Sequence, residues 1–264
     1  MSAAVYSEYN NDNFDDAAGF EPRQRRGAWV THPFAELINS LCPISSYAVL
    51  REFEWLDPHD VEALADALRF GFNFVEDDFE RHFAEYLASD GASLTGARII
   101  QFIKRKTFPF GKLFEAITLP TFINGPRGSD GTLQKIKKLE TVVTPELNID
   151  KSNLEKAIIK LVASGVIDRA PSNWQSQSGS VAYVYCVVPI LPALTTMTHR
   201  AFDRFDKARP DRASGVFDQL TEMINGKWSA FQTNVLSERE RASERIAKAA
   251  AKKVGKSVQR VAAA

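Results

Sequence analysis

The sequence predicts a mainly α protein with one small β unit, and three observations carry that expectation. Apolar residues recur at helical spacing along most of residues 31–236. Cap residues punctuate these runs, notably Asp57-Pro58, Asp150 and Gly165. Only Val181 to Val188 is strongly enriched in β-branched and aromatic residues, as a strand requires. The chain has 264 residues, 44% hydrophobic and 25% charged, which excludes a wholly disordered or collagen-like chain and predicts one large domain or two small ones. The 33 basic and 33 acidic residues cancel, so total charge names no partner. Cys42 and Cys186 fit neither a zinc site nor a disulfide framework. No run reaches the roughly 20 apolar residues of a membrane span. The acidic, polar N-terminus is the opposite of a signal or transit peptide, so a cytoplasmic protein is expected.

Taken in order, residues 1–29 are rich in Asn, Asp and Ser, with apolar residues scattered without period, and are expected to be disordered. Residues 30–122 read as a helical domain. Thr31 is placed to cap a short helix from Pro33 to Leu41, which Pro43 stops. Ser45 or Ser46 caps the next, through Leu50, Phe53 and Leu56. Asp57-Pro58 starts a third, with Val61, Leu64, Ala65, Leu68 and Phe72 on one face and Gly71 as its stop. Glu76, Asp77, Asp78 and Glu80 then suit the positive N-terminus of a fourth, ending at Asp90-Gly91, rather than a metal site. A helix from Leu94 to Lys106 follows, then a turn at Phe108-Pro109-Phe110-Gly111 and an apolar piece from Leu113 to Ile123. Gly125 to Gly131 has no phosphate-loop ending and reads as a linker.

Residues 131–190 are the most informative. Leu133, Ile136, Leu139 and Val142 form one helical stripe, and Thr144-Pro145-Glu146-Leu147 begins a short second helix. Asp150 caps a third over 151–164, with Leu154, Ala157, Ile158, Leu161 and Val162 on one face and Gly165 as its end. Val166 to Arg169 reads as a short strand, Ala170 to Gly179 as a polar loop, and Val181 to Val188 as the second strand. This order, with Asn148-Ile149-Asp150-Lys151-Ser152-Asn153-Leu154 and Ser164-Gly165-Val166-Ile167-Asp168-Arg169, resembles the winged-helix superfamily of helix-turn-helix DNA-binding domains. The likeness covers about 60 residues and names a fold, with no close family behind it. The whole chain is then expected as a helical N-terminal domain, a winged-helix domain at 131–190, C-terminal helices over 191–236 and a basic Ala-rich tail over 237–264.

The resemblance implies that the 151–164 helix enters a DNA major groove. Its solvent face would present Ser152, Asn153, Lys156, Ile159 and Lys160, with Asn suited to adenine and Lys to guanine. Lys151 would sit near a phosphate, and Lys135, Lys137, Lys138 and Arg169 would touch the backbone. Double-stranded DNA is therefore the expected ligand, in a transcriptional regulator or a plasmid or phage origin- or centromere-binding factor. Winged helices also dock proteins. The alternative is a non-catalytic adaptor whose partner lies against the acidic 51–90 block, which holds twelve acids and three bases. Exposed Ile159 and a wing tip without bases favour that alternative.

Two basic stretches add to these choices. Residues 102–112 interleave Phe102, Phe108 and Phe110 with bases, which suits either stacking on a single strand or core anchoring. The tail carries eight bases and three acids over 235–264, which suits either nonspecific DNA affinity or solubility. The apolar stripes of 191–236 suit either a homodimer interface or packing on the N-terminal half. Catalysis is not expected. His32, His59, His82 and His199 are dispersed, no hydrolase elbow occurs, and no metal or cofactor is implied.

Overall fold

The structure is a computed structural model that describes residues 32–43, 46–124, 147, 149–175 and 181–262. The expectations for 1–29, for the linker at 125–131, for the 131–142 helix and for the residues between the two strands at 176–180 lie outside the described residues. Among the described residues ten elements precede two long C-terminal ones, if the 3-10 turn at Phe108–Phe110 is included. They are α1 (Pro33–Ser40), α2 (Ser46–Leu50), α3 (Pro58–Ala88), α4 (Leu94–Thr107), β1 (Glu115–Ile117), α5 (Leu119–Asn124), α6 (Lys151–Ala163), β2 (Asp168–Gln175) and β3 (Val181–Cys186). The last two are α7 (Ile190–Ala208) and α8 (Ala213–Ala262). The described chain is mostly helical with one small antiparallel sheet.

Helix α1 is capped by His32 rather than by Thr31, which lies outside the described residues. His32 Nδ1 accepts the Phe34 N–H at 3.2 Å, and its Nε2 lies 3.0 Å from the Asn234 amide of α8. The ring is buried, and burial holds it below its ordinary pKa of 6.5, against a smaller opposing pull from Glu36. The folded state therefore binds fewer protons than the unfolded chain just below pH 6.5. Stability falls as pH drops through that value and levels off once the folded ring also protonates. Urea midpoints measured at about pH 7.5 and 5.5 should differ for the parent, and differ less for His32→Asn, which keeps a cap without titrating.

Helix α3 departs from the expectation most clearly. Asp57 caps it as expected, accepting the Asp60 N–H at 2.8 Å, but Gly71 does not end it. A single helix of 31 residues runs through both Gly71 and the acidic cluster. The reason is tertiary. A Cβ at Gly71 would overlap the Met197 carbonyl oxygen, so the glycine lets α3 and α7 touch backbone to backbone. Two of the acids read as helix starters are compensated by side chains instead. Asp78 pairs with Arg81, and Glu80 pairs with Lys104 of α4. The stripe Leu194, Met197, Ala201 and Phe205 on α7 is buried, and α3 is its principal neighbour. The α7 stripe thus packs on the N-terminal half of the chain.

The sheet is ordered β1-β3-β2, with both neighbours antiparallel to β3. Glu115 faces Tyr185, Ile117 faces Tyr183, and Ala170 faces Val184. Thus β1, from the stretch expected as a separate helical domain, completes the sheet of the later stretch. One hydrophobic core joins Phe34 and Phe114 to Leu154, Val184 and Phe231. Asn39 of α1 fixes the approach to β1, accepting the N–H groups of Leu113 and Phe114 at 3.1 and 3.0 Å. Strand β2 also runs to Gln175, into the stretch expected as loop. Pro171 is tolerated because β2 is an edge strand, and the register shifts between Pro171 and Gln175.

Candidate nucleic-acid interface

Helix α6 is held at both ends by its own sequence. Asp150 accepts the N–H groups of Ser152 at 2.8 Å and Asn153 at 3.2 Å. At the other end Gly165 takes φ +71°, a left-handed conformation that a side chain resists. The Val166 N–H then bonds Leu161 and the Gly165 N–H bonds Val162, both at 3.0 Å, closing a Schellman turn. His82 of α3 braces this turn, donating from Nε2 to the Val166 carbonyl at 2.9 Å.

Leu154, Ile158, Leu161 and Val162 are buried, mainly against α8 and α4. Lys151, Ser152, Asn153, Lys156 and Lys160 are all exposed on the other side. Lys151 lies 4.0 Å from Glu155, at the limit of an ion pair. Among the described residues Lys156 and Lys160 meet no acidic partner. Ile159, expected on the free face, is half-buried and packs onto the core, so the exposed face of α6 is polar.

Arg169 requires a correction. It is buried, with its guanidinium 2.8 Å from Glu238 of α8 and 4.4 Å from the centre of the Tyr183 ring. Beside it Asp168 pairs with Arg239. Arg169 thus ties β2 to α8 and is not free to meet a phosphate. Its position next to a strand suggested exposure, whereas the distant Glu238 decides its fate. Lys135, Lys137 and Lys138 lie outside the described residues.

Sequence reasoning placed Arg105 in the basic 102–112 stretch but missed Arg98 and its pairing with Arg105. They stand seven residues apart on α4, on one face and about 10 Å apart along the axis. With Gln101 between them and Ala97 and Leu147 beside them, they line a groove of about 180 Å³. Both are exposed, and among the described residues neither is in an ion pair. Helix α4 packs on α6, so this groove belongs to the same part of the molecule. The i, i+7 spacing of two arginines was the available signal, hidden by the more conspicuous aromatics after it. Those aromatics are largely structural. Phe102 and Phe108 are buried, against Phe122 and against Phe72 and Phe79, and only Phe110 is exposed. Lys106 lies over Phe102, and burial lowers its pKa.

The acidic block is partly consumed within the fold. Buried Asp60 lies 2.8 Å from Arg212, and Arg209 Nε comes within 3.0 Å of its other oxygen, poorly aligned for a hydrogen bond. Asp57 pairs with Arg209 and Asp66 with Arg204. Cys42 and Cys186 are both buried, and burial pushes both thiols far up, which disfavours the reactive thiolate. Among the described residues no group of His, Cys, Asp or Glu is arranged to hold a metal, and no helix is long and apolar enough to cross a membrane. In comparisons with known proteins, no family model, no curated protein and no solved structure matches this chain.

Proposed function

We propose that the chain binds double-stranded DNA by laying α6 in the major groove, with the unit from α4 to β3 acting as a winged helix. The observation that carries this reading is the free polar face of α6, held on a helix whose two ends and opposite face are fixed. Asn153 offers a bidentate amide to adenine, and Lys156 and Lys160 offer ammonium groups to guanine or phosphate. Arg98 and Arg105 supply guanidinium forks suited to phosphates. Among the described residues, the succession α4, β1, α5, α6, β2, β3 and the strand order β1-β3-β2 support a winged-helix arrangement whose first helix is α4. The roles consistent with such contacts are transcriptional regulation and the marking of an origin or centromere. A docking adaptor loses one of its supports, because Ile159 is half-buried against the core rather than exposed.

The test is fluorescence anisotropy of a duplex of random sequence, titrated in salt. Log affinity should fall linearly with log salt, by about 0.9 per neutralised phosphate. Lys156→Ala should weaken a selected site by about 1–3 kcal/mol and relax sequence choice, because a base contact is lost. Arg98→Ala with Arg105→Ala should instead lower the salt slope by roughly 2 on all sequences. Wild-type affinity that shows no dependence on salt would remove the reading.

A further inference from the structure

Helix α8 is 50 residues long, roughly 75 Å, and only part of it is used by the fold. Among the residues whose side chains are described, the last buried one on it is Ala242. Every residue from Ser243 to Val254 is exposed, including Ile246 and Val254. We propose that residues 243–262 form a helical arm that lies along the phosphate backbone of duplex DNA flanking the α6 contact. This rests on the DNA reading and adds a second, sequence-independent contact to it.

The charge pattern is the first argument. Residues 243–262 hold six bases, Arg245, Lys248, Lys252, Lys253, Lys256 and Arg260, against one acid, Glu244. Arg245, Lys248 and Lys252 follow at i, i+3 and i+7 and share one face, and the sequence continues that spacing to Lys256 and Arg260. Ile246, Ala250 and Val254 fall on the opposite side. Glu244 answers a single cation, Lys248, at 3.1 Å. A row of like charges at i, i+4 repels itself along a free helix, and a polyanion removes that repulsion. Membrane insertion is disfavoured, since the apolar side is alanine and valine with a single isoleucine, Ile246, and no Trp, Phe or Leu.

The second argument is mechanical. The arm continues a helix already nucleated and packed, in a stretch rich in Ala, Lys and Arg, so helical order is inexpensive there. Just before it leaves the core, α8 is fastened to β2 by Glu238–Arg169 and Arg239–Asp168, and it packs along α6. The arm therefore starts from the same unit that carries α6. Once α6 is docked, each arm contact is intramolecular and adds affinity at high effective concentration. Bases about 6 Å apart along the helix meet a duplex carrying one charge per roughly 1.7 Å of axis, so no sequence register is required.

The test compares full-length protein with Arg245→Gln/Lys248→Gln/Lys252→Gln in a salt titration on a random duplex, beside Lys156→Ala/Lys160→Ala. Glutamine keeps helix propensity, and all three sites are exposed, so the fold is retained. The arm variant should lower the salt slope by about 2–3 and weaken binding roughly 100-fold at low salt. It should leave the preference between sequences unchanged. An unchanged slope in the arm variant, while the α6 variant loses affinity, overturns the arm and leaves the DNA reading standing. Loss of salt-dependent binding by the wild type overturns both. An unchanged slope together with a dimer in sedimentation that Val254→Asp dissolves assigns the free helix to a second copy of the chain, and also overturns the arm.

Discussion

Glu238→Ala is expected to cost about 3–5 kcal/mol, because it strands a buried guanidinium. Arg169 sits under Tyr183 with its Nε and a terminal nitrogen on one Glu238 oxygen, at 3.0 and 2.8 Å. Arg241 reaches the other Glu238 oxygen at 3.0 Å from a more exposed position. Removing the carboxylate leaves Arg241 able to turn to water, while Arg169 has no such escape. At roughly 2–4 °C per kcal/mol for a chain of this size, thermal melting should fall by at least 6 °C. The double change Arg169→Met/Glu238→Leu should recover most of the loss, since a buried pair is often replaceable by apolar side chains. A loss below about 1 kcal/mol in Glu238→Ala would mean that Arg169 reaches solvent and that β2 is not fastened to α8 in this way.

Gly71→Ala is expected to destabilise by about 3 kcal/mol, against the direction that helix propensity alone dictates. In an open helix interior the change stabilises by roughly 0.5–1 kcal/mol. At Gly71 the new methyl would overlap the Met197 carbonyl oxygen, with the Met197 carbonyl carbon at 3.1 Å and the Ala201 nitrogen at 3.2 Å. All three atoms are backbone of α7, so relief requires the two helices to part. Gly226→Ala is the control, because a Cβ there meets nothing within 4 Å. Opposite signs for the two substitutions in urea unfolding would confirm the contact, and a stabilising Gly71→Ala would refute it.

Local signals in the sequence are legible where the cause is local. Asp57, Asp150 and Gly165 do what their chemistry suggests, since a cap acts over three or four residues. The row Leu154, Ile158, Leu161, Val162 identifies the buried side of α6, and with it the exposed side that forms the candidate interface. Readings failed where a distant residue decides. Gly71 looked like a stop because Met197 is invisible at that range. Arg169 looked like a phosphate ligand because Glu238 lies 69 positions away. The three residues of β1 were too short to show a strand pattern, and their role depends on pairing with Tyr183, Val184 and Tyr185. Arg98 and Arg105 carried a spacing signal, but their value depends on α4 lying against α6.

The place of β3 at the centre of the sheet bears on how the chain is made. Both of its neighbours are synthesised first, and β1 leaves the ribosome before α5, α6 and β2. Neither can pair until the last strand emerges. The apolar face of α3 waits longer still, for α7. During translation the nascent chain therefore carries an uncovered helix, and later unpaired strand edges, across the middle of its synthesis, a state prone to aggregate. A message truncated between β2 and α7 yields a client for chaperones and proteases rather than a smaller working unit. Cutting the gene at the apparent linker around residues 125–131 would have the same result in both halves, because each would hold part of one sheet.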